Sequence, residues 1–300
     1  YTLTFNDSVT GGASGDFSNL GSATSCTFAP GTDSGTTRTV TISGCSEGTL
    51  QPRFAAGGAT DAAGNTGPST AQDGSQITLD RTAPTITLAQ AGGQPDPTNA
   101  TPIQFALTAN ENLASATITS ADFTITNGTY SSASGSGSSY TINVTPSGQG
   151  AVTIATSGSF SITDTAGNAA TTAGGSDRSV IYDTVAPTAS WSGTPSSPNK
   201  NASVTYTLTF SESVTGVSAG DFSNLGSATG CSFSPSASGG TSFTITISSC
   251  SEGTLQPRFA ANGATDAAGN TGPTSAQDGT QITLDRTAPT LTLEQAAGQA

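Results

Sequence analysis

Shifted against itself by 205 positions, the chain aligns Tyr1 to Gln94 with Tyr206 to Gln299 without a gap, and 71 of those 94 residues are identical. A match of that quality at a fixed period is tandem duplication, so the fold adopted by the first stretch must be adopted again in the second. Between the copies lies a more distant unit on the same plan, marked by three landmarks. A linker reads LDRTAPT at 79–85, YDTVAPT at 182–188 and LDRTAPT at 284–290, placing Pro84, Pro187 and Pro289 at intervals of 103 and 102 residues. A turn reads TDAAGN at 60–65, TDTAGN at 163–168 and TDAAGN at 265–270. An acid followed by Asp-Phe recurs as Asp7 with Asp16-Phe17, Glu111 with Asp122-Phe123, and Glu212 with Asp221-Phe222.

These landmarks predict a type A unit at 1–81 without its N-terminal strand, a type B unit at 82–183, a second type A unit at 184–286, and the opening of a further type B unit at 287–300. The first copy begins at Tyr-Thr-Leu-Thr-Phe, which in the second copy comes only after residues 184–205, and the chain has no Met; it is expected to be a piece of a longer array. With 37 Gly and 33% hydrophobic residues, several small loop-rich modules fit better than one large core.

Within each unit the hydrophobic period is 2. Tyr1-Thr2-Leu3-Thr4-Phe5, Thr39-Val40-Thr41-Ile42, Tyr140-Thr141-Ile142-Asn143-Val144 and Phe243-Thr244-Ile245-Thr246-Ile247 alternate apolar residues with Thr or Asn, as half-buried strands do. Gly, Ser, Asn and Pro clusters punctuate these runs, and no helical pattern competes. Seven or so short strands in about 100 residues predict an all-β chain of tandem immunoglobulin-like β-sandwich domains in an elongated array, with a barrel as the alternative.

Composition narrows the function. A net charge of −13 repels phosphate backbones and anionic headgroups, which argues against nucleic acid and membrane surfaces as partners and favours cations. Without His there is no imidazole for proton transfer or metal ligation, so most familiar catalytic constellations are weakened and no enzyme activity is expected. No apolar run reaches 18 residues and no basic-then-apolar leader opens the sequence, so neither a membrane span nor a signal peptide is predicted.

The TxAPT linker, the FSESVTG run at 210–216 followed by Asp221-Phe222, and the TDAAGN turn resemble the bacterial Ig-like repeats of very large surface adhesins. The resemblance spans the whole chain. It implies a bacterial extracellular or cell-surface location and a structural role, with neighbouring repeats as partners and a host or surface ligand bound elsewhere. Two departures stand out: Asp7 replaces the usual Glu, and the Cys pairs of the type A units are not expected of the family.

Those cysteines carry their own argument. Cys26 and Cys45, and Cys231 and Cys250, are each 19 positions apart, unlike a zinc knuckle. Their flanks read as two strands around the turn Gly31-Thr32-Asp33-Ser34-Gly35, and reflection about the midpoint sets Cys26 opposite Cys45. Opposed positions in antiparallel strands suit a disulfide, with free buried thiols as the alternative.

Strand order also gathers acids. In such a sandwich the B–C and F–G loops lie where the chain enters and meet the incoming linker. The second unit's entrance should collect Asp80, Glu111, Asp122, Asp164 and Asn168; the third should collect Asp183, Glu212, Asp221, Asp266 and Asn270; and the first keeps a partial set of Asp7, Asp16, Asp61 and Asn65. Clustered carboxylates repel one another, and calcium, which takes six to eight oxygens, would relieve that repulsion. The same Asp and Asn can instead form self-contained turns, and Arg81 could neutralise Asp80, which makes the third unit's entrance, with Thr184 in that place, the better calcium candidate.

Other features suggest less. The sequons at Asn6, Asn99, Asn127, Asn143 and Asn201 are chance products of a Ser- and Thr-rich chain, Trp191 and Tyr182 should pack near a linker, and Arg53 and Arg258 should pair with acids across strands. The expected function is the shaft or spacer of a large extracellular adhesin. Self-assembly into a filament or surface layer, with other copies as lateral or end-to-end partners, is the alternative, and a carbohydrate-binding module is a third reading.

Overall fold

The computed structural model describes residues 1–32, 35–172 and 174–298. Asp33 and Ser34 of the turn between the cysteines, and the last two residues of the 287–300 segment, lie outside the described residues. The chain is almost wholly β, with only short 3-10 turns as helix, and no helix among the described residues is long and apolar enough to cross a membrane.

Alternation along each strand decides which face is buried. In the middle unit Tyr140, Ile142 and Val144 of Ser139–Pro146 point inward while Thr141 and Asn143 face out. That strand belongs to a five-stranded sheet ordered Gly128–Ser136, Ser139–Pro146, Ile103–Ala109, Thr85–Gln90 and Thr171–Thr172. A three-stranded sheet of Phe123–Thr126, Gly150–Thr156 and Ser179–Tyr182 covers it. Phe105, Leu107, Ile142, Val144, Val152 and Val180, each 0% exposed, fill the space between the two sheets. This is a sandwich core, not a barrel interior.

The third unit is built likewise around Tyr206, Leu208, Phe243, Ile245 and Phe259. Its strand Ala189–Ser192 pairs with Ser203–Thr215, setting Trp191 opposite Leu208. The Trp191 ring then packs edge-on against Tyr206 and Phe222, with centroids 5.9 and 6.0 Å apart. In the first unit Leu3, Phe5, Phe17, Val40 and Phe54, the counterparts of Leu208, Phe210, Phe222, Ile245 and Phe259, border an open groove of about 540 Å³. Ile77 is 45% exposed, whereas its counterpart Ile282 is 2% exposed.

The inferred strand LQPRF divides at one residue: Gly48–Leu50 pairs with Ile77–Leu79, while Pro52–Phe54 pairs with Gln72–Asp73 and Phe17–Asn19. The Arg53 guanidinium meets the Asp73 carboxylate at 2.6 and 2.9 Å, and Arg258 repeats this with Asp278. Thr287 to Glu294 form no strand among the described residues, and Leu291 and Leu293 are 88% and 93% exposed.

Both disulfides form, Cys26–Cys45 and Cys231–Cys250, each with Cα atoms 4.1 Å apart. They do not sit within the ladder as directly opposed residues. The register pairs Thr27 with Ser43, so the next step would oppose Cys26 to Gly44. The chain makes up the one-residue offset with a left-handed residue on each side, Ser25 (φ 59) and Gly44 (φ 71). In the third unit the same two positions hold Gly230 (φ 71) and Ser249 (φ 60), so each copy places its glycine on the opposite side.

Candidate cation sites at the joints between units

The position of the first carboxylate follows from strand register. Val214 pairs with Asp266 two residues after Glu212 in the strand Ser203–Thr215, and Leu113 bridges to Asp164 two residues after Glu111, which lies in a bend past the end of Ile103–Ala109. A two-residue step along a strand keeps a side chain on the same face, so Glu212 arrives beside Asp266, and Glu111 reaches Asp164 from its bend. The linker supplies the third acid. Asp80, Glu111 and Asp164 each offer a carboxylate oxygen within 4.8 Å of the others, and Asp183, Glu212 and Asp266 do the same at the next joint.

The TDxAGN turn fastens each linker. Asp164 Oδ1 accepts the backbone N–H groups of Ala166 and Asn168, both at 2.8 Å, and Oδ2 accepts Asn168 Nδ2 at 2.8 Å. Asn168 Nδ2 also donates to the carbonyl of Asp80 at 3.2 Å, and Asn270 Nδ2 to that of Asp183 at 3.0 Å. Asn168 and Asn270 thus act here as donors that seat the linker. The second joint has an additional clasp, because Asn99 of the middle unit donates Nδ2 to Asn270 Oδ1 at 3.1 Å and its N–H to the Ala268 carbonyl.

Electrostatics sets the roles of the acids apart. Burial pushes the Glu111 carboxyl above its ordinary value, and the charges of Asp80, Asp164 and Glu47 push it further. Glu212 is raised by burial and then by Asp266 and Asp183. Burial also works to raise Asp164, but the hydrogen bonds from Asn168, Ala166 and Gly167 outweigh it and hold the group below the usual carboxylate range. Glu111 Oε1 is buried with no hydrogen-bond partner, the kind of orphaned acceptor that a hard cation satisfies.

The structure does not bring Asp122 and Asp221 into these groups. Asp122 is 0% exposed and closes a 3-10 turn: Oδ2 accepts the Thr119 N–H and hydroxyl at 2.7 and 2.8 Å, and Oδ1 accepts the Ser161 N–H at 2.7 Å. Asp221 accepts from Ser218 in the same way, and Asp16 from the Ala13 N–H. In the first unit Asp61 is held by its own turn through Ala63 and Asn65, and Asp7 is exposed. Arg81 does not neutralise Asp80 as the sequence suggested, because its Nη1 donates to the carbonyl of Cys45 at 3.1 Å. The sequence reading missed Glu47 and Glu252, whose carboxylates accept from the linkers at Arg81 and Thr82 and at Arg286 and Thr287. Their signal was the acid two residues after each second Cys.

No curated protein matched the chain. Among solved structures it is similar to invasin, described as a bacterial integrin-binding protein, at 13% identity, covering 95% of this chain and 60% of that one with a TM-score of 0.38. The adhesin InvE of Yersinia pseudotuberculosis matches at 12% identity over 67% and 58% of the two chains with a TM-score of 0.27. Domains 1–6 of the surface layer protein SbsC match at 12% identity over 96% and 53%, also with a TM-score of 0.27. The chain therefore spans little more than half the length of the structures it matches. A family model described as bacterial Ig-like domain matches residues 183–283. That stretch is most of the third unit, and the segment Tyr1 to Gln94 repeats Tyr206 to Gln299 at 71 of 94 aligned positions.

Proposed function

We propose that these repeats are the shaft or spacer of a large bacterial extracellular surface protein, an adhesin, and that calcium at the joints stiffens the shaft. The observation that carries this reading is the repetition of one arrangement at two joints, where a linker acid meets two acids of the unit that follows. Asp80, Glu111 and Asp164 would hold one ion, and Asp183, Glu212 and Asp266 the other, with carbonyl or water oxygens completing the shell. Each ion would tie the linker to the domain it enters. Disulfides in both type A units suit an oxidising exterior, and a charge of −13 would keep neighbouring shafts apart. The binding region that such a shaft would present, and the host or surface ligand it would recognise, belong to other parts of the protein. No catalytic role is part of this reading.

The test is a thermal melt of the 300-residue chain in chelator and in millimolar calcium, with small-angle scattering of the same samples. A higher midpoint and a longer or stiffer particle in calcium support the reading. Identical melts and scattering curves in both conditions would remove the cation, leaving linker hydrogen bonds and prolines as the source of any stiffness.

A further inference from the structure

The two type A units fasten their outgoing linkers through the disulfide loop, and the middle unit does so without one. In the first unit the Cys45 carbonyl accepts Arg81 Nη1 at 3.1 Å. Two residues on, Glu47 Oε1 accepts the Arg81 N–H at 2.9 Å, and both of its oxygens accept the Thr82 hydroxyl at 3.0 and 3.1 Å. The third unit repeats every contact: Cys250 carbonyl to Arg286 Nη1 at 3.0 Å, Glu252 Oε1 to the Arg286 N–H at 2.6 Å, and Glu252 to the Thr287 hydroxyl at 3.0 and 2.9 Å. In the Cys-free middle unit the linker is held by a neutral side chain instead. Gln149 Oε1 accepts the Thr184 N–H at 3.0 Å, and Gln149 Nε2 donates to the Thr184 hydroxyl.

The disulfide is placed to hold the acceptors still. Cys26 and Cys45 pack with Ala23, Leu50 and Leu79 in a small cluster that meets the main core around Phe17, Val40 and Phe54 only through Ile42, whereas Cys231 and Cys250 of the third unit belong to its main core. Leu79 ends the strand from which the linker departs. The loop Cys45-Ser46-Glu47 is otherwise tied down mainly by Ser46, whose N–H donates to the Thr24 carbonyl and whose hydroxyl oxygen accepts the Thr24 N–H. Both fastenings join the same two segments that the S–S bond joins. Glu47 also bears on the acids of the joint, since its charge helps to raise Glu111.

We propose that the Cys26–Cys45 disulfide is a redox-sensitive latch on the linker that follows it; in the third unit Arg286 is held in addition by the Asn201 carbonyl. A dithiol reductant supplies two electrons and two protons, the S–S bond becomes two thiols, and the reductant leaves as its own disulfide. The loop then loses its covalent anchor, the Cys45 carbonyl and Glu47 carboxylate lose their fixed position, and the Arg81–Thr82 segment is released while the main core persists. The joint that follows the middle unit has no such latch and stays fastened through Gln149 in either redox state. The proposal stands beside the calcium reading and does not depend on it.

The test is residue-resolved amide exchange by NMR on the 300-residue chain, oxidised and reduced, with chelator present throughout. Expected on reduction is a rise of about tenfold or more in exchange at the Arg81 amide, with the Thr184 and Val40 amides unchanged. Unchanged exchange at Arg81, with the thiols confirmed as reduced, overturns the latch. If Val40 also loses protection, the first unit has unfolded on losing the bond and the latch is overturned, because the core was required to persist.

Discussion

The indole Nε1 of Trp191 donates to the carbonyl oxygen of Gln277 at 3.0 Å, joining the strand next to the incoming linker to one 86 residues later. That bond and the edge-on contacts with Tyr206 and Phe222 make Trp191 the residue that closes the third sandwich on one side. Trp191→Ala should destabilise the third unit by about 3 kcal/mol, and Trp191→Phe by about 1 kcal/mol, chiefly through the lost hydrogen bond. Denaturant melts of the single-unit transition check both. Equal stability of the alanine variant would show that the ring packs without consequence.

Asp122 should behave as a structural cap and not as a ligand. Burial disfavours its charge, but the N–H and hydroxyl groups of Ser161 and Thr119 outweigh burial and hold it below the usual carboxylate range. A depressed folded value adds stability above the ordinary value, and that stability is lost as pH falls through the folded one. Asp122→Ala should cost about 2 kcal/mol at neutral pH, with less effect in acid and no effect on any calcium response. Unfolding at two pH values, with and without calcium, measures both parts.

Glu111 carries the opposite sign. Its raised value means that ionising it in the folded joint costs stability, a cost absent at low pH and growing as pH rises through the raised value. In chelator, Glu111→Gln should therefore melt above the parent at neutral pH, with the gap closing toward about pH 4. Glu212→Gln should follow the same pattern at the next joint. A variant that melts below its parent in chelator at neutral pH would contradict this account.

Cys231→Ala with Cys250→Ala should cost the third unit about 3 kcal/mol, the loop-closure value for about 20 residues, while the transition of the Cys-free middle unit stays where it is. Calorimetry under non-reducing conditions separates the two transitions.

Much of the fold was legible because alternation is a local signal. Tyr140, Ile142 and Val144, or Phe243, Ile245 and Ile247, announce the inward face without knowledge of any partner strand. The acids were harder. Asp164 and Asp266 could be placed from the turn motif, since both the loop geometry and the linker contact are set within a few residues. An acid in an entrance loop reads as a ligand, but Thr119-Ser120-Ala121-Asp122 and Ser218-Ala219-Gly220-Asp221 have the spacing of a capping box, and the two aspartates cap their own turns. Adjacency in sequence suggests that Arg81 lies beside Asp80. Consecutive residues of an extended linker point to opposite sides, and the guanidinium returns to the unit it leaves. The disulfide offset was hidden for another reason: nothing in the spacing of 19 shows where a ladder ends and two left-handed residues begin.

Those left-handed residues constrain how such an array can change its own length. Each copy keeps one glycine and one serine at the pair of positive-φ sites, with Ser25 and Gly44 in one and Gly230 and Ser249 in the other. A left-handed serine carries a cost of about 1 kcal/mol that glycine does not. A genetic exchange between the copies that falls outside this short interval shuffles whole pairs and leaves every unit with one serine. An exchange inside it creates one unit with two glycines and one with two strained serines beside the same disulfide. The hairpin that locks each domain is therefore also the stretch where joining one copy to the other is least neutral.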